Sequence, residues 1–415
     1  MVKKKKKILF LGLSHIGQVY STSWINKIGA CSVYDFNHIN LEKFRDKKFT
    51  DEEPYLKKNK YSKKFIYLKD KDEIKNYEVI FFTYDTPLNK NNGKPNLSLI
   101  RKNLKKIYSI KFKKKVNLFI ASQVYPGFTD NIISKYKNKM INTIYFVDTL
   151  KMGNATNSFL KPEQLIFGSN EDYREIIKEI FKKFKCKKYL FSIKEAELIK
   201  ISINLYLFFS VSFANIIDDM SKKININFIQ ILNVLKNDRR IGKYSYIQPS
   251  LGMSGGHLER DYYYFQKLST NPLSSKIFSL ISNFNDDRKK ILENKLTNLD
   301  SKKTILIGAS YKKNSYSITN SNFKKIFKKN IKIYDDQFKL KDLKKKNIIK
   351  NLKDLCSFDF FIYNYSNKLT LKKIKEIIKK DKNKKLINLS IHNNSLFNKI
   401  NTDNIFFKKG NKMIL

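Results

Sequence analysis

Two stretches of this chain share one local pattern, and that pattern restricts the possible folds more than any other feature. Each begins with lysine, continues as a short apolar run, reaches a glycine turn and ends a later apolar run with Asp. The first covers residues 7–35 with Gly12 in its turn, and the second covers residues 303–335 with Gly308 in its turn. Short apolar runs that alternate with longer helical patterns predict parallel strands covered by helices on both faces.

The pattern continues on either side of a helical middle. Further strands are predicted at residues 79–83, 116–120, 143–147, 358–363 and 385–388. Residues 193–296 have helical periodicity with few strand signals. A chain of 415 residues is long enough for two or three domains. We therefore predict an α/β protein with two doubly wound, Rossmann-like parallel-sheet domains, 1–192 and 299–415, joined by a central helical domain, 193–298.

The charge of the chain is extreme, at +47, and it raises the question of a nucleic-acid partner. Dense Lys and Arg neutralise phosphates and release counterions. Only seven of the 84 basic residues are Arg, however, although Arg supplies the bidentate fork that suits phosphates and guanines. Lysine is also abundant on stretches that carry no motif. We favour compositional drift over a dedicated polyanion surface, and we expect no dedicated nucleic-acid partner.

The cysteines and the N-terminus bear on the compartment. Cys31, Cys186 and Cys356 are odd in number and scattered, with neither metal-ligand spacing nor the density of a disulfide scaffold, which indicates a reducing cytoplasm and no metal site. The lysines at 3–7 and the apolar run at 8–13 resemble a signal peptide. That run is short, lacks a small-residue cleavage site and leads into a glycine turn, so a buried first strand is favoured.

A second apolar run concerns a possible membrane segment. Seventeen uncharged residues separate Lys200 from Asp218, and they include Asn204 and Asn215. The run is short for a membrane span and contains two polar amides. We predict a core or interface helix, and no membrane partner.

The glycine turn of the first segment carries a binding motif. Gly12, Ser14 and Gly17 follow a strand and open a helix, and Asp35 ends the next strand. This spacing is typical of a dinucleotide site, in which the helix N-terminus faces the pyrophosphate and the acid binds ribose hydroxyls. Ser14 stands where the motif has its middle glycine, so a plain strand-to-helix turn is the alternative. Asp35 would repel a 2′-phosphate, which favours NAD over NADP.

Further motifs occur in the order found in one enzyme family. They are Glu53-Pro-Tyr-Leu56, Tyr84-Asp-Thr-Pro-Leu88, Ser122-Gln-Val-Tyr-Pro-Gly127, Ala196-Glu-Leu-Ile-Lys200 with Asn204, Asp238-Arg-Arg-Ile-Gly242, Pro249-Ser-Leu-Gly-Met-Ser-Gly-Gly-His-Leu-Glu-Arg-Asp261 and Gly308-Ala-Ser-Tyr-Lys-Lys-Asn314. Over residues 8–390 the chain resembles the UDP-glucose/GDP-mannose dehydrogenases. The resemblance implies a nucleotide-sugar substrate, NAD as cofactor and double oxidation of a sugar C6 alcohol through a cysteine thiohemiacetal and thioester.

The resemblance also assigns roles to individual residues. It implies catalytic roles for Lys200, Asn204, His257, Asp261 and Asp148, cofactor contacts for Gly12, Ser14, Gly17, Asp35, Thr86, Gln123 and Arg260, and substrate contacts for Arg240, Gly252 and Lys312. Lys200 and Asn204 are one helical turn apart, so both project from one helix face and can stabilise negative charge that develops on oxygen.

The departures from the family pattern lie at the reactive centre. His257 stands where the family has its nucleophilic cysteine, and imidazole cannot replace a thiolate in this sequence of steps. Asp148 stands for a glutamate, Met152 removes a second glutamate and Gln123 stands for a threonine. Thr319 removes an arginine that reaches the cofactor.

Three hypotheses follow from the sequence. The chain is an NAD-dependent oxidoreductase that carries out one two-electron step on a nucleotide sugar, with His257 or Asp261 moving protons; or it is a catalytically inactive nucleotide-sugar-binding or regulatory protein; or it binds a phosphate-rich polymer. The resemblance implies a homodimer through the uncharged helix at residues 205–217, and an internal core helix is the alternative.

Overall fold

The structure is a computed structural model of the chain. It describes residues 6–50, 53, 56, 65–89, 94–226, 228–252, 256–297, 299–310, 318, 323, 331–336, 347–381, 383–389 and 402–404, and side chains are described at these positions except 229, 256–259, 291–293, 295–297 and 402–404. The chain divides into two compact units, Met1–Ile203 and Asn204–Leu415.

The first unit contains a sheet flanked by helices. Its strands are β1 (Ile8–Leu11), β2 (Ser32–Tyr34), β3 (Ile66–Tyr67), β4 (Val79–Phe82), β5 (Val116–Ile120), β6 (Ile141–Phe146), β7 (Gln164–Gly168) and β8 (Lys187–Phe191). Its helices are α1 (His15–Lys27), α2 (His38–Arg45), α3 (Ser98–Tyr108), α4 (Phe128–Tyr136), α5 (Ala155–Leu160) and α6 (Arg174–Ile180), with a 3₁₀ turn at Lys71–Asn76.

The strand order places a crevice between two central strands. The order is β3-β2-β1-β4-β5-β6-β7-β8, and the pairs are parallel except β6 with β7. The chain moves outward from β1 to β3 and then returns to form β4 on the other side of β1. In open α/β sheets, ligands bind at the carboxyl ends of the strands beside such a reversal. The segments that follow β1 and β4 therefore meet at the expected ligand position.

Aromatic packing forms the core of this unit. The Phe81 ring stacks between Phe10 and Phe119, with ring centroids 4.8 and 5.0 Å away. Trp24 of α1 lies 5.3 Å from the same ring and is fully buried. Strands β1 and β4 are continuous apolar runs because both of their faces are covered by helices.

The second unit contains helices followed by a second sheet. Helix α7 (Ile193–Lys223) runs into it from the first unit, and α8 (Phe228–Asn237), α9 (Gly256–Leu268) and α10 (Pro272–Thr297) follow. Its strands are β9 (Thr304–Ile307), β10 (Lys332–Tyr334), β11 (Ile348–Ile349), β12 (Phe360–Tyr363), β13 (Lys385–Asn388) and β14 (Thr402–Asn404). They form a parallel sheet in the order β11-β10-β9-β12-β13-β14, with a 3₁₀ turn at Leu352–Ser357 and helix α11 at Lys368–Lys380.

A buried ion cluster fixes the helices of this unit. Arg288 of α10 donates hydrogen bonds to Asp218 at 3.0 Å and to Asp219, both on α7. It also donates to the carbonyl oxygens of Asn215 and Ser250, at 3.2 and 3.0 Å. Burial raises the pKa of the Asp218 carboxyl above its ordinary value, while Lys222 and Arg288 act in the opposite direction.

Helix α7 is long and apolar enough to cross a membrane by length and composition alone. Only 44% of its most apolar window is buried within the protein. Toward its end, however, it carries Asp218, which is fully buried and paired with Arg288 at 3.0 Å. The C-terminal part of α7 is therefore paired with α10 inside this unit.

The prediction of two doubly wound sheets with a helical segment between them is confirmed. The predicted strands correspond to β1, β2, β4, β5, β6, β9, β10, β12 and β13, with ends within two residues. Among the residues that the structure describes, five strands were not predicted: β3, β7, β8, β11 and β14. Three of them, β3, β11 and β14, have two or three residues, β8 begins with two lysines, and the apolar run of β7 is only three residues long. The three-domain division itself stays a prediction.

The aromatic core predicts a large effect of one truncation. Phe81→Ala removes a fully buried ring from between Phe10 and Phe119, which should lower the free energy of unfolding of the first unit by about 3–5 kcal/mol. Trp24 is the only tryptophan, so its fluorescence during urea unfolding reports on this unit. Ile39→Ala, at a 58% exposed position of α2, is the matched control and should change the value by less than about 0.5 kcal/mol. Equal effects of the two variants would contradict this core.

Candidate active site

The glycine turn after β1 has the geometry that the sequence predicts. Gly12 has a φ of +104°, in the region that favours glycine, and its N–H donates to the carbonyl of Tyr34 at 2.9 Å. At Gly17 a Cβ atom would lie 1.7 Å from the Gly12 carbonyl oxygen. Only glycine allows α1 to approach the strand this closely, so both glycines are required by the turn.

Ser14 connects this turn to the end of β4. Its hydroxyl donates to the carbonyl of Thr83 at 2.8 Å and accepts from the N–H of Asp85 at 2.9 Å. A glycine at position 14 would make neither contact. The serine that weakens the sequence motif therefore joins the two segments that border the crevice.

Asp35 lies at the end of β2 beside the glycine turn and is fully buried. Its carboxylate accepts hydrogen bonds from the N–H of Leu13 at 2.7 Å and of Asn37 at 2.8 Å. It also accepts from the hydroxyl of Tyr84 at 3.1 Å and the side-chain amide of Asn40 at 3.3 Å. Burial, and then the charge of Asp35, raises the pKa of Tyr84 far above its ordinary value, so Tyr84 remains a donor.

Asp85 occupies the N-terminus of α1. Its carboxylate accepts a hydrogen bond from the backbone N–H of His15, the first residue of α1, at 2.8 Å. Anions are favoured at this position because the first N–H groups of a helix lack intrahelical acceptors. Sequence reasoning missed Tyr84 and Asp85 as site residues, although both lie in a motif that it singled out.

Thr86 and Gln123 come together at the carboxyl ends of β4 and β5. Both are almost fully buried, and the Thr86 hydroxyl donates to the Gln123 carbonyl at 2.5 Å. Nearby, the Ser122 hydroxyl donates to the carbonyl of Tyr84 at 2.5 Å. These bonds fix the loops after two adjacent parallel strands.

Lys200 and Asp148 also come together. The buried Lys200 ammonium donates to the backbone carbonyl of Asp148 at 2.6 Å, and the Asp148 carboxylate accepts from the Tyr20 hydroxyl at 3.0 Å. Burial, and then Asp148, raises the pKa of Tyr20 well above its ordinary value, which keeps this phenol protonated. Met152 is half-buried further along the same loop.

Glu53 fixes that loop from a distant part of the chain. Its buried carboxylate accepts from the N–H groups of Gly153 and Ala155, at 2.5 and 3.3 Å. The imidazole Nε2 of His15 lies 3.6 Å from the same carboxylate. Glu53 thus bonds the end of the loop that carries Asp148 and the first residue of α5, while its carboxylate lies near the residue that follows the glycine turn.

Glu197 is a second buried acid that sequence reasoning missed. It lies on α7 three residues before Lys200, and its carboxylate accepts from the N–H of Gly127 at 2.5 Å and of Thr129 at 3.0 Å at the start of α4. Burial raises its pKa to about 7, and the bonds from Thr129 and Gly127 oppose this shift. Glu197 thereby fixes the α7 turn that carries Lys200.

The remaining catalytic candidates lie in the second unit. The Asn204 side-chain amide donates a hydrogen bond to the carboxylate of Asp261, which is buried on α9. Arg260 is also buried, and its Nε lies 3.8 Å from the other oxygen of Asp261. His257 belongs to the first turn of α9, one helical turn before Asp261, and its side chain lies outside the described residues.

The structure describes two of the three residues that were predicted to contact substrate. Arg240 lies in an exposed turn after α8 and donates to its neighbour Asp238 at 2.6 and 3.0 Å, which holds the pKa of that carboxyl below its ordinary value. Gly252 has a φ of +126°, in the region that favours glycine, and a Cβ there would lie 2.7 Å from Cγ of Lys289 and 3.1 Å from the Asn285 carbonyl oxygen of α10, so backbone conformation and packing both favour glycine at this position. Lys312 and Thr319 lie outside the described residues.

Two domains of one protein family match the chain. Residues 6–185 match the NAD-binding domain of the UDP-glucose/GDP-mannose dehydrogenase family, and residues 194–287 match its central domain. The chain belongs to this family. NAD is accordingly its cofactor. The predicted resemblance and cofactor are confirmed.

Named relatives support the same assignment. The chain is 26% identical over 253 residues to a UDP-glucose 6-dehydrogenase of Rickettsia bellii, covering 58% of each chain, and 32% identical over 184 residues to one of Campylobacter jejuni, covering 43% of this chain and 45% of the relative. It thus spans about half the length of these curated relatives.

Solved structures have the same fold. The fold is similar to that of a UDP-glucose dehydrogenase from Pyrobaculum islandicum, with a TM-score of 0.74, 19% identity and coverage of 87% of this chain and 90% of that chain. It is also similar to a UDP-D-ManNAc dehydrogenase from Pyrococcus horikoshii, with a TM-score of 0.73, 16% identity and coverage of 92% and 94%.

The backbone of the crevice suits a dinucleotide, whereas its acidic side chains already form hydrogen bonds within the chain. The positive φ of Gly12 and the close approach at Gly17 give the tight strand-to-helix turn that a pyrophosphate requires in this fold. Asp35 directly follows β2, where this fold places the acid that binds ribose hydroxyls. Its carboxylate already accepts four hydrogen bonds from the chain, however, and Asp85 already bonds the N–H of His15.

The three cysteines differ in their burial, which bears on the state of their thiols. Cys31 is buried before β2, and its thiol donates to the carbonyl of Ser21 at 3.7 Å. Burial raises the pKa of Cys31 well above its ordinary value and raises that of Cys186 as well, which keeps both as thiols. Cys356 is exposed in the 3₁₀ turn after β11.

The raised pKa of Glu197 predicts a pH-dependent stability. The folded state prefers the protonated carboxyl, so its contribution is complete below the ordinary pKa of 4.5 and is lost as the pH rises through about 7. Across this window the free energy of unfolding should fall by about 3 kcal/mol more in the native chain than in Glu197→Gln. Urea unfolding followed by Trp24 fluorescence measures the difference.

A neighbouring glutamate provides the control for this measurement. Glu195 is exposed two residues earlier on α7, and hydrogen bonds from Ser192 lower the pKa of its carboxyl. Glu195→Gln should therefore leave the slope between pH 5 and 7 unchanged. Parallel pH curves for the native chain and Glu197→Gln would show that Glu197 titrates normally.

Proposed function

We propose that this chain is an NAD-dependent oxidoreductase that acts on the CH–OH group of a nucleotide sugar and performs a single two-electron step. The observation that carries the proposal is the combination of an intact dinucleotide turn with a buried lysine, Lys200, on the helix that also carries Asn204. The names of the relatives, UDP-glucose 6-dehydrogenases, indicate the substrate class.

The proposed cofactor contacts lie around the glycine turn. Gly12, Ser14 and Gly17 shape the cradle, and Asp35 accepts hydrogen bonds from the ribose. Thr86 and Gln123 border the nicotinamide end, at the carboxyl ends of β4 and β5, and Arg260 contributes a cation. Because Asp35 would repel a 2′-phosphate, NAD is preferred to NADP.

The proposed chemistry is the oxidation of a carbinol. NAD⁺, when bound, would supply the hydride acceptor for oxidation of the carbinol carbon, and a base on this chain would take the hydroxyl proton as the carbonyl forms. Lys200 and Asn204 stabilise the negative charge that develops on the substrate oxygen, because both project from one face of α7.

Asp261 is the proposed proton acceptor, alone or with His257. It is buried, and its bond from Asn204 holds the carboxylate in one orientation. His257 precedes it by one turn of α9, and an unperturbed imidazole titrates near neutrality.

The other site residues have separate proposed roles. Asp148 is proposed to orient water, while Arg240, Gly252 and Lys312 are proposed to contact the sugar nucleotide.

The reaction is proposed to stop at the first oxidation. A second oxidation in this family needs a thiolate to capture the aldehyde, and position 257 is histidine. Cys31 cannot take the role because it is buried, with its pKa raised by desolvation.

A second candidate function is a nucleotide-sugar-binding or regulatory protein without turnover. Two observations favour it: the Tyr84 hydroxyl already bonds Asp35, and the Asp85 carboxylate already bonds the N–H of His15. A cofactor would have to compete with these groups.

With either function we propose a cytoplasmic location. We also propose three domains, 1–192, 193–298 and 299–415, of which the last holds the nucleotide sugar.

A stoichiometry measurement separates the two functions. With a panel of UDP- and GDP-sugars, we expect one NADH per sugar oxidised, measured by absorbance and by mass spectrometry of the product. Two NADH per sugar would overturn the single-step proposal. Sugar-nucleotide binding without NADH formation would establish the second candidate.

Restoring the thiol tests the reactive centre. His257→Cys should allow a second oxidation, raising the yield from one NADH per sugar toward two, provided that Asp148 can orient water. His257→Ser is the matched control, because its hydroxyl is not a soft nucleophile, and it should give at most one NADH. A carboxylate product from both variants would contradict the role assigned to position 257.

We also propose a homodimer through α7. Tyr206, Phe213 and Met220 are seven residues apart and are 60%, 44% and 59% exposed, so they form an apolar stripe along one face. Stripes of this kind are typical of symmetric helix interfaces.

Charge substitution tests this interface. The double variant Phe213→Lys with Met220→Lys should sediment as a monomer at concentrations where the native chain is a dimer. Leu369→Lys, at a 67% exposed position of α11, is the control and should leave the mass unchanged. A dimer in the double variant would exclude this surface.

A further inference from the structure

The contact between Asp85 and α1 lies at the position where a bound dinucleotide places its most highly charged part. The crevice lies between β1 and β4, and the pyrophosphate of a dinucleotide faces the N-terminal N–H groups of the helix that follows β1. His15 is the first residue of that helix. Its N–H is 2.8 Å from an oxygen of the Asp85 carboxylate.

The backbone holds Asp85 at this position. The Asp85 N–H donates to the Ser14 hydroxyl at 2.9 Å, and that hydroxyl donates to the Thr83 carbonyl at 2.8 Å. The Ser14 side chain makes no capping bond to α1, so the carboxylate of Asp85 supplies the acceptor from across the crevice. The second oxygen of this carboxylate is buried without a hydrogen-bond partner, which is costly for a charged group.

The preceding residue makes a similar contact at the ribose position. The Tyr84 hydroxyl donates to Asp35 at 3.1 Å, and the Tyr84 ring lies 2.7 Å from where a Cβ of Gly12 would be. Two consecutive side chains after β4 therefore contact the two groups, a helix N–H and an acid, that a dinucleotide uses.

We propose that Asp85 competes within the molecule for the site of the NAD pyrophosphate and thereby sets the affinity for the cofactor. The proposal depends on the NAD-binding domain and not on the sugar chemistry. NAD must displace the carboxylate from His15 and would otherwise place two like charges a few ångströms apart, which opposes binding. Ligands without phosphate do not meet this barrier.

Removing the charge while keeping the shape tests the proposal. Asp85→Asn should bind NAD⁺ and ADP-ribose about tenfold more tightly than the native chain in isothermal titration calorimetry, because the repulsion is lost. Adenosine, which has no phosphate, should bind both proteins equally. Unchanged or weaker NAD⁺ binding, or an equal gain for adenosine, would overturn the proposal.

A matched variant controls for net charge and for the loss of a capping carboxylate. Asp172 accepts from the N–H of Arg174 at 3.0 Å at the exposed start of α6, away from the crevice. Asp172→Asn changes the charge by the same amount and should leave the affinity for NAD⁺ unchanged. A tenfold gain in this variant as well would assign the effect to the overall charge and not to Asp85.

Thermal unfolding distinguishes competition from a purely structural role. Asp85→Asn should melt at a lower temperature than the native chain without ligand, because a helix N-terminus loses its anion, yet show a larger stabilisation by NAD⁺. A lower melting temperature with an unchanged stabilisation by NAD⁺ would leave Asp85 a capping residue only. Because binding is measured without turnover, that result would leave the proposed oxidoreductase function intact. If neither the native chain nor Asp85→Asn bound an adenine nucleotide, both proposals would be contradicted.

Discussion

The parallel pairing of β1 with β4 is the interaction on which the rest of the site depends. Leu11 lies opposite Phe82, and the N–H of Thr83 donates to the Leu11 carbonyl at 2.9 Å. Since both strands are buried on both faces, a shift of this register by one residue would move every side chain to the opposite face and disrupt the packing against both layers of helices. The glycine turn and the segment that begins at Thr83 are consequently fixed side by side, and Ser14 bonds one to the other.

Buried acids at helix N-termini organise the loops around this pair of strands. Asp85 accepts from the first N–H of α1, Glu53 from N–H groups at the start of α5, and Glu197 from N–H groups at the start of α4. In a chain with a net charge of +47, most acids on the surface would have cations nearby. These three instead accept hydrogen bonds from the first N–H groups of helices, which satisfies donors that lack intrahelical partners and fixes the loops that border the crevice.

The two sides of the crevice are fixed by different contacts. The Ser14 hydroxyl makes two hydrogen bonds to the segment that follows β4, so it joins the glycine turn to that segment. The Asp148 carboxylate accepts from the Tyr20 hydroxyl, and its backbone carbonyl accepts from the Lys200 ammonium, so the lysine has a fixed position. These contacts keep both segments in place by bonds within the chain.

Sequence alone determined the fold class, the central strands, the glycine turn at Gly12, the acid at Asp35 and the helical segment that begins at residue 193, because apolar runs and turn spacings are local signals. It could not give β3, β7, β8, β11 and β14, whose residues form strands only because a neighbouring strand offers hydrogen bonds. Nor could it give the partners of the buried acids. Glu53 and Gly153 are 100 residues apart and Asp85 and His15 are 70 apart, and such pairings are set by the packing of the sheet. Tertiary structure alone therefore decided that the Asp85 carboxylate lies at the N-terminus of α1.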